Sequence, residues 1–252
     1  MDATPSLPLE LEQMTHCEAE AILGPETVVF VPLGSCEPHG PHLPLGNDVS
    51  IARAWCSGLA ASLRERGRRA VLAPALPYGI SHLTEGWAGR LTLQPGTLWA
   101  LLDDLVCALE QEGVRRVVLA SAHLEPQHME VVRGVALDHA AAEVGEARVV
   151  VLETASVLPP NATPAQFHAG LEETSLALAL GPQHVRSECA ADLPAVVPDP
   201  EKIAEGQLAA GARRAYCGEP ASATAEQGVQ LLETLTQNSL AELASVWPDL
   251  SP

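Results

Sequence analysis

The stretch that decides the fold is Thr27-Val-Val-Phe-Val-Pro-Leu33, which runs directly into Gly34-Ser-Cys-Glu-Pro-His-Gly-Pro-His-Leu-Pro-Leu-Gly-Asn-Asp48. The first seven residues are apolar or β-branched and too few for a core helix, so they predict a strand buried on both faces. Burial on both faces is typical of parallel sheets that helices cover from either side. The polar loop that follows begins at the carboxyl end of this strand, where ligands bind in such folds.

Strand and helix patterns alternate along the rest of the chain. Further strands are predicted at about 70–73, 116–121 and 148–152, and helices at about 49–66, 97–112, 125–143, 169–180 and 223–244. Strands that alternate with helices of a dozen or more residues indicate parallel βαβ units. We therefore predict an α/β fold, a three-layer αβα sandwich with a mostly parallel sheet, in a single domain over residues 1–252. The Pro- and Asp-rich stretch 187–205 is interpreted as a surface excursion rather than a linker.

Composition restricts the classes of partner. The 252 residues include 14 Lys and Arg against 32 Asp and Glu, so the formal net charge is −18, and 47% of the residues are hydrophobic. This hydrophobic fraction excludes intrinsic disorder, which requires low hydrophobicity beside high charge. An acidic chain is also a poor match for nucleic acid or an anionic membrane surface, because both bind basic patches. We expect neither as a partner.

The N-terminal sequence and the cysteines predict a location. The N-terminus has no basic region followed by an apolar one, so no signal peptide is predicted. No apolar run approaches the roughly 20 residues that a membrane span needs. The six cysteines are widely scattered without a Cys-x-x-Cys pair, which is typical of reduced thiols. We therefore expect a cytoplasmic protein.

Two polar clusters follow predicted strands of one sheet. Glu37 and His39 are two residues apart, so in extended chain their side chains project to the same side, and the stiff loop can fold Asp48 back toward them. His123 and Glu125 repeat the same spacing after the third strand. Two histidines and three carboxylates suffice to bind a pair of divalent cations, and zinc and manganese accept this mixture of ligands.

Four segments resemble one family. The loop 34–48 resembles the signature loop of the creatininase (creatinine amidohydrolase) family. His168-Ala-Gly-Leu-Glu-Glu-Thr-Ser175 is similar to that family's H-A-G-x-x-E-T-S segment, and Ser121-Ala-His-Leu-Glu125 stands in the place of its asparagine-glycine-histidine segment. Residues 218–228 are a weaker fourth match. The segments occur in the family's order between about residues 28 and 235, and the chain is identified as a member.

The resemblance implies a site with two divalent cations, Zn and/or Mn. It assigns Glu37 and His123 to one metal, His39 and Glu125 to the other, and Asp48 to both. Many members take the last carboxylate from the position of Leu171, whereas creatininase itself resembles this chain in having a glutamate close after the histidine. A hydroxide between two such cations is a nucleophile at neutral pH, so the implied reaction is hydrolysis of a linear or cyclic amide C–N bond.

Two further residues are implied in catalysis. The leaving nitrogen needs a proton, and the resemblance suggests His168 as the general acid. Glu173 is expected to orient His168 or to move protons, and the alternative is a structural carboxylate favoured by the N-terminus of a helix.

The implied partner is a small-molecule amide, and the resemblance also implies a homo-oligomer, because the family commonly forms ring-like hexamers. Ser81 and Leu124 are expected to contact the substrate. Leu124 replaces an aromatic residue of creatininase, and the segment Trp87-Ala-Gly-Arg90 departs from the family's Phe-Pro-Gly-Thr, so both argue against creatinine. Two alternatives remain open, namely a peptidase or deformylase on the same scaffold and a metal-binding protein that has lost its chemistry.

Overall fold

Four parallel strands form the sheet of the computed structural model, which describes residues 7–140, 148–157 and 168–251. In chain order they are β1 (Val28–Leu33), β2 (Ala70–Leu72), β3 (Arg116–Ser121) and β4 (Arg148–Glu153), and their order across the sheet is β2-β1-β3-β4. β1 and β3 are neighbours in parallel register, with Leu33 paired to Ser121 at their carboxyl ends. The loops that follow both strands therefore start at the same edge of the sheet.

Seven α-helices accompany these strands in the described residues. They are α1 (His16–Ile22), α2 (Asn47–Glu65), α3 (Pro95–Gln111), α4 (Pro126–Ala140), α5 (Leu171–Leu180), α6 (Ser187–Ala191) and α7 (Ala225–Val246). Their ends carry the usual signals, such as Pro95 at the first position of α3 and a capping box between Thr224 and Gln227 at the start of α7. No described helix is both long and apolar enough to cross a membrane.

Helices cover both faces of the sheet. Alternate residues of β1 point to opposite sides, so Val29 and Val31 pack in a core with Leu102 of α3, whereas Phe30 packs in a second core with Trp55 of α2. α4 contributes to the first core and α7 to the second. The predicted α/β three-layer sandwich with a parallel sheet is therefore confirmed.

The elements differ from the predictions mainly at their ends and in two short helices. Each predicted strand and each predicted long helix is present, with ends that differ by a few residues. Residues 141–143 of the helix predicted at 125–143 lie outside the described residues. The sequence reading did not predict α1 or α6, because a single turn or two carries too little periodicity to detect. All six cysteines are free thiols, as expected.

The packing of α5 against α7 depends on a glycine. A Cβ atom at Gly228 of α7 would lie 1.9 Å from the carbonyl oxygen of Ser175 and 2.8 Å from Cβ of Ala179. Backbone contact at this distance leaves no room for any side chain, so the two helices cannot keep their spacing with another residue at this position.

We expect Gly228→Ala to lower the free energy of unfolding by about 1–3 kcal/mol, the usual cost of overpacking. Gly58→Ala is the matched control, since the added methyl group in α2 would meet only Thr236 Oγ1 at 3.7 Å. Alanine favours a helix over glycine by up to about 1 kcal/mol, so this variant should be neutral or more stable. Urea unfolding of both variants measures the difference, and equal stabilities would contradict the packing argument.

Candidate metal centre

The close approach of α2 to β1 places Asp48 at the carboxyl edge of the sheet. A Cβ atom at Gly34 would lie 2.5 Å from the backbone nitrogen of Val49, so the first turn of α2 packs directly on the residue that follows β1. Asp48 lies in this first turn and is buried. The loop between Gly34 and α2 therefore folds back as the sequence predicted, with the carboxylate facing the strand ends.

The first group of candidate ligands consists of Glu37, Asp48 and His123, which are all buried. His123 Nε2 donates a hydrogen bond to the carbonyl oxygen of Ile80 at 2.6 Å. The other ring nitrogen, Nδ1, lies 3.1 Å from Glu37 Oε1 and 3.1 Å from Asp48 Oδ2. One imidazole nitrogen and two carboxylate oxygens thus converge on one point.

The second group consists of His39, Asp48 and Glu173. His39 Nδ1 donates to the backbone carbonyl of Glu37 at 3.0 Å. Its Nε2 lies 2.8 Å from Asp48 Oδ1 and 3.6 Å from Glu173 Oε2. Asp48 therefore contributes one oxygen to each group and joins the two.

These residues fit a pair of divalent cations. Buried Asp48 Oδ2 makes no well-aligned hydrogen bond among the described residues and faces His123 Nδ1 at 3.1 Å, which is costly unless a cation or a proton lies between the two atoms. Both histidines are oriented by a backbone carbonyl on one ring nitrogen, so the other nitrogen faces carboxylates and would offer its lone pair to a cation once it loses its proton. Metal-binding histidines are held in this way, and imidazole with carboxylate suits zinc and manganese.

The same contacts determine protonation in the metal-free protein. Burial by itself raises the pKa of Glu37, but the facing His123 lowers it to about 2. Burial lowers the pKa of His39, but the charge and hydrogen bond of Asp48 raise it to about 10, and Glu37 and Asp48 hold the pKa of His123 well above its ordinary value. In the metal-free protein His39 and His123 therefore each hold a proton where a cation would bind.

His168 lies beside both groups and forms a further possible ligand group with Glu37 and His39. Its Nε2 donates to the carbonyl oxygen of Pro38 at 2.7 Å, and its Nδ1 lies 3.8 Å from Glu37 Oε1. Burial, with the charge of His39, lowers the pKa of His168 to about 4. The side chain is thus neutral at pH 7, with an unprotonated Nδ1 that can accept a proton.

The backbone around His168 is under constraint. Ala169 adopts a left-handed conformation with φ of 51°, which is uncommon for a residue with a Cβ atom and is concentrated at functional sites. Its amide nitrogen donates to Glu173 Oε2 at 2.8 Å. Glu173 therefore contacts the residue after His168 and the ring of His39, rather than the ring of His168 itself, and burial raises its pKa to about 7.

Glu125 and Ser81 are both buried and hydrogen-bonded within the protein. The Glu125 carboxylate accepts hydrogen bonds from the backbone amides of His82 (2.8 Å) and Leu83 (3.1 Å), and it belongs to neither group of candidate ligands. Each oxygen keeps a further lone pair, so the ligand role of Glu125 stays a prediction. Glu173 is the carboxylate that lies beside His39. Ser81 is fully buried with its hydroxyl 2.6 Å from that of Ser35, and it is not among the residues that line the cavity.

A small cavity of about 30 Å³ lies at this centre. Leu124 is among its lining residues, and the sequence reading missed others, including Leu83, Thr84 and Gln207. Thr84 Oγ1 donates to Glu37 Oε2 at 3.0 Å and so fixes a candidate ligand. The position of Leu83 and Thr84 after the second strand was the only sequence feature that could have placed them near the site. No sequence feature indicated Gln207.

The match to a family covers nearly the whole chain. The sequence model of the Creatininase family, described as creatinine amidohydrolase, matches residues 12–243. The chain belongs to the creatininase family. Its similarity to solved structures agrees, since "Creatininase Mn" superposes with a TM-score of 0.80 at 25% identity, covering 95% of this chain and 99% of that one.

Two curated relatives carry different names. A "Mycofactocin precursor peptide peptidase" of Mycolicibacterium smegmatis is 30% identical over 227 residues, which cover 88% of this chain and 86% of the relative. A "Creatinine amidohydrolase" of Pseudomonas putida is 26% identical over 256 residues, covering 94% of this chain and 96% of the relative. This creatininase-family chain is thus similar to proteins named for peptide cleavage and for cleavage of a cyclic amide.

The ligand sets can be separated by counting metals. After loading with Mn²⁺, we expect about two ions per chain in the unaltered protein, fewer than one in Asp48→Ala and about one in Glu173→Gln, because each change removes donor oxygens that the metals require. Glu125→Gln should keep two. Native mass spectrometry provides the count. Loss of one metal from Glu125→Gln, with two retained by Glu173→Gln, would restore the assignment made from the sequence.

Metal binding should release protons. Because the pKa of His39 is raised to about 10 and that of His123 is also raised, both are protonated at pH 7 in the metal-free protein and must lose a proton to bind a cation. We expect about one proton per metal, so the binding constant should rise about tenfold per pH unit between pH 6 and 8. Titration calorimetry in buffers of different ionisation enthalpy measures this number, and metal binding without proton release would refute the assigned protonation states.

Proposed function

We propose that this creatininase-family protein is a metal-dependent amidohydrolase that cleaves a linear or cyclic amide C–N bond at a centre of two divalent cations. The observation that supports this most strongly is the position of Asp48 between His39 and His123, with one carboxylate oxygen beside each ring. Two adjacent cation sites that share a carboxylate are typical of hydrolytic metal centres. Glu37 and Glu173 complete the two proposed ligand sets.

Two cations bound by these residues would supply a nucleophilic hydroxide at neutral pH and polarise the substrate carbonyl. The chain's own residues do the rest. Thr84 keeps Glu37 in place through its hydrogen bond to Oε2. The backbone carbonyls of Glu37 and Ile80 fix the two ligand histidines in the tautomer that binds metal.

His168 is the proposed proton carrier. Its Nε2–H is committed to the carbonyl of Pro38, so proton exchange takes place at Nδ1. A neutral imidazole at pH 7 can accept the proton of the attacking water at Nδ1 and then donate it to the leaving nitrogen, which is too basic to leave as an anion. The carboxylate of Glu37, 3.8 Å from Nδ1, stabilises the imidazolium between these two transfers.

A peptide substrate is the second candidate. The similarity to a relative named as a peptidase favours it, as does Leu124, which lines the cavity where creatininase has an aromatic residue. Both candidates use the same residues at the C–N bond and differ only in what surrounds that bond. A decayed protein would keep the metals and hydrolyse neither class.

The test combines metal removal with a panel of amides. We expect chelation to abolish hydrolysis and Zn²⁺ or Mn²⁺ to restore it, with creatinine, a lactam, a formylated amine and short peptides as substrates. Rapid turnover of creatinine would show that Leu124 does not exclude it. No turnover of any amide by protein that holds two metals would refute the proposal in favour of a metal-binding protein.

His168→Ala should lower kcat by about 10²–10⁴-fold, the usual contribution of a general acid–base residue. It should leave the count of two metals unchanged, because His168 is in neither proposed ligand set. His16→Ala is the matched control, since His16 is exposed at the start of α1 and does not line the cavity. A His168→Ala variant that retains most of its kcat on the preferred amide would remove His168 from the mechanism.

A further inference from the structure

Gln207 combines a buried, unpartnered amide oxygen with a place in the lining of the cavity. Its side chain is only 3% exposed, and Oε1 is buried with no hydrogen-bond partner among the described residues. The residue lines the cavity at the metal centre, although it lies beyond the stretch 187–205 that the sequence suggested was a surface excursion. Buried amide oxygens without a partner are rare because they cost folding free energy, so this one requires an explanation.

The backbone of Gln207 is tied to the cavity wall. Its amide nitrogen donates to the carbonyl oxygen of Leu83 at 2.8 Å, and its own carbonyl accepts from the amide of Ala212 at 2.9 Å. The amide of Leu83 in turn donates to Glu125 Oε2 at 3.1 Å. Because both Leu83 and Glu125 line the cavity, the position of Gln207 is set by the same wall that the substrate would contact.

The other polar groups of the described lining are already committed. Four lining residues belong to the two groups of candidate ligands, namely Glu37, Asp48, His123 and Glu173. Glu125 accepts two backbone amides, and the hydroxyl of Thr84 donates to Glu37. Apart from His168 Nδ1, the proposed proton acceptor, the side-chain amide oxygen of Gln207 is the remaining polar side-chain group without a hydrogen bond or a proposed ligand role among the lining residues that the structure describes.

Charge also defines what this group can recognise. Four carboxylates line the cavity, those of Glu37, Asp48, Glu125 and Glu173, and two divalent cations would balance them before the proposed hydroxide is counted. A cavity without excess positive charge and with a neutral amide side chain is suited to an uncharged ligand rather than to an anion. A free carbonyl oxygen can only accept a hydrogen bond, so its natural partner is an N–H donor.

We propose that Gln207 is a specificity-determining residue whose Oε1 accepts a hydrogen bond from the N–H of the substrate amide. The preferred substrates are then uncharged amides that carry an N–H, and N-alkylated amides are rejected because they leave Oε1 buried and unpaired. A site that hydrogen-bonds its ligand discriminates strongly against a ligand without the matching donor, because binding that ligand leaves a buried acceptor unpaired at a cost in binding free energy. The inference rests on the proposed function only in placing the ligand at the metal centre.

The test uses two probes of equal chelating power. Acetohydroxamic acid and its N-methyl derivative both bind metal through two oxygens, but only the first has an N–H. We expect Mn²⁺-loaded protein to bind acetohydroxamic acid about tenfold or more tightly than its N-methyl derivative. This is the usual effect of a hydrogen bond whose loss leaves a buried acceptor unpaired. In Gln207→Met, which keeps the length of the side chain without its polar atoms, the ratio of the two affinities should fall to about one.

Stability and a control variant separate recognition from a structural role. Replacing an unpaired buried amide by an apolar side chain should leave the melting temperature of Gln207→Met equal or higher, whereas a structural glutamine would lower it. Gln230→Met, at an exposed position of α7, should keep the ratio of the unaltered protein. Metal counts of both variants should stay at two.

Each outcome has a distinct meaning. An equal ratio of affinities in Gln207→Met and in the unaltered protein would overturn the inference, as would failure of acetohydroxamic acid to bind the metal-loaded protein. If the ratio behaves as expected while no amide of the panel is hydrolysed, Gln207 still recognises an N–H and the proposed function alone is refuted. Where an amide is hydrolysed, a secondary amide and its N-methyl derivative should show the same change in the ratio of kcat/KM.

Discussion

The burial of Asp48 between two histidine rings is the interaction on which the rest of the site depends. A buried carboxylate without compensating partners would be expensive, and here one oxygen lies 2.8 Å from His39 and the other 3.1 Å from His123. Those partners hold protons in the absence of metal, since the pKa of His39 is raised to about 10. The same geometry that makes the metal-free protein viable therefore prepares two adjacent positions for cations.

The sheet supplies this geometry through its topology. Parallel neighbours end at the same edge, so the loop after β1 brings Glu37 and His39 to the place where β3 delivers His123. Gly34 lets the first turn of α2 pack against the end of β1 and so carries Asp48 to the same edge. Glu173 arrives from the start of α5, which packs against α2 and α7. Four separate segments meet at one point because each begins or ends at this edge.

Much of the fold and half of the site could be predicted from the sequence, for physical reasons. The strands and long helices have enough residues for hydrophobic periodicity to be unambiguous, and Glu37, His39 and His123 follow strands directly, so their convergence is a consequence of parallel pairing. The ligand role of Glu125, which stays a prediction, came from the family resemblance and from a two-residue spacing, which fixes the side of an extended chain but not which donors meet the carboxylate. Two backbone amides meet it in the structure, and a helix distant in sequence brings Glu173 beside His39. Gln207 lies in a segment without periodicity, where only the tertiary contact with Leu83 determines its position.

The different uses of two carboxylates explain how one scaffold can keep its reaction and change its substrate. Glu173 contacts His39 and belongs to the centre that would perform the chemistry, whereas Glu125 holds the backbone of residues 82 and 83 and through it the wall that carries Gln207. Substitutions in the cavity wall around Gln207 would change which groups of a ligand form hydrogen bonds. They would leave the charge and the distances at Asp48 unchanged. Relatives named for creatinine and for a precursor peptide can therefore share the strand-edge centre, because the residues that surround the amide belong to loops with separate anchors.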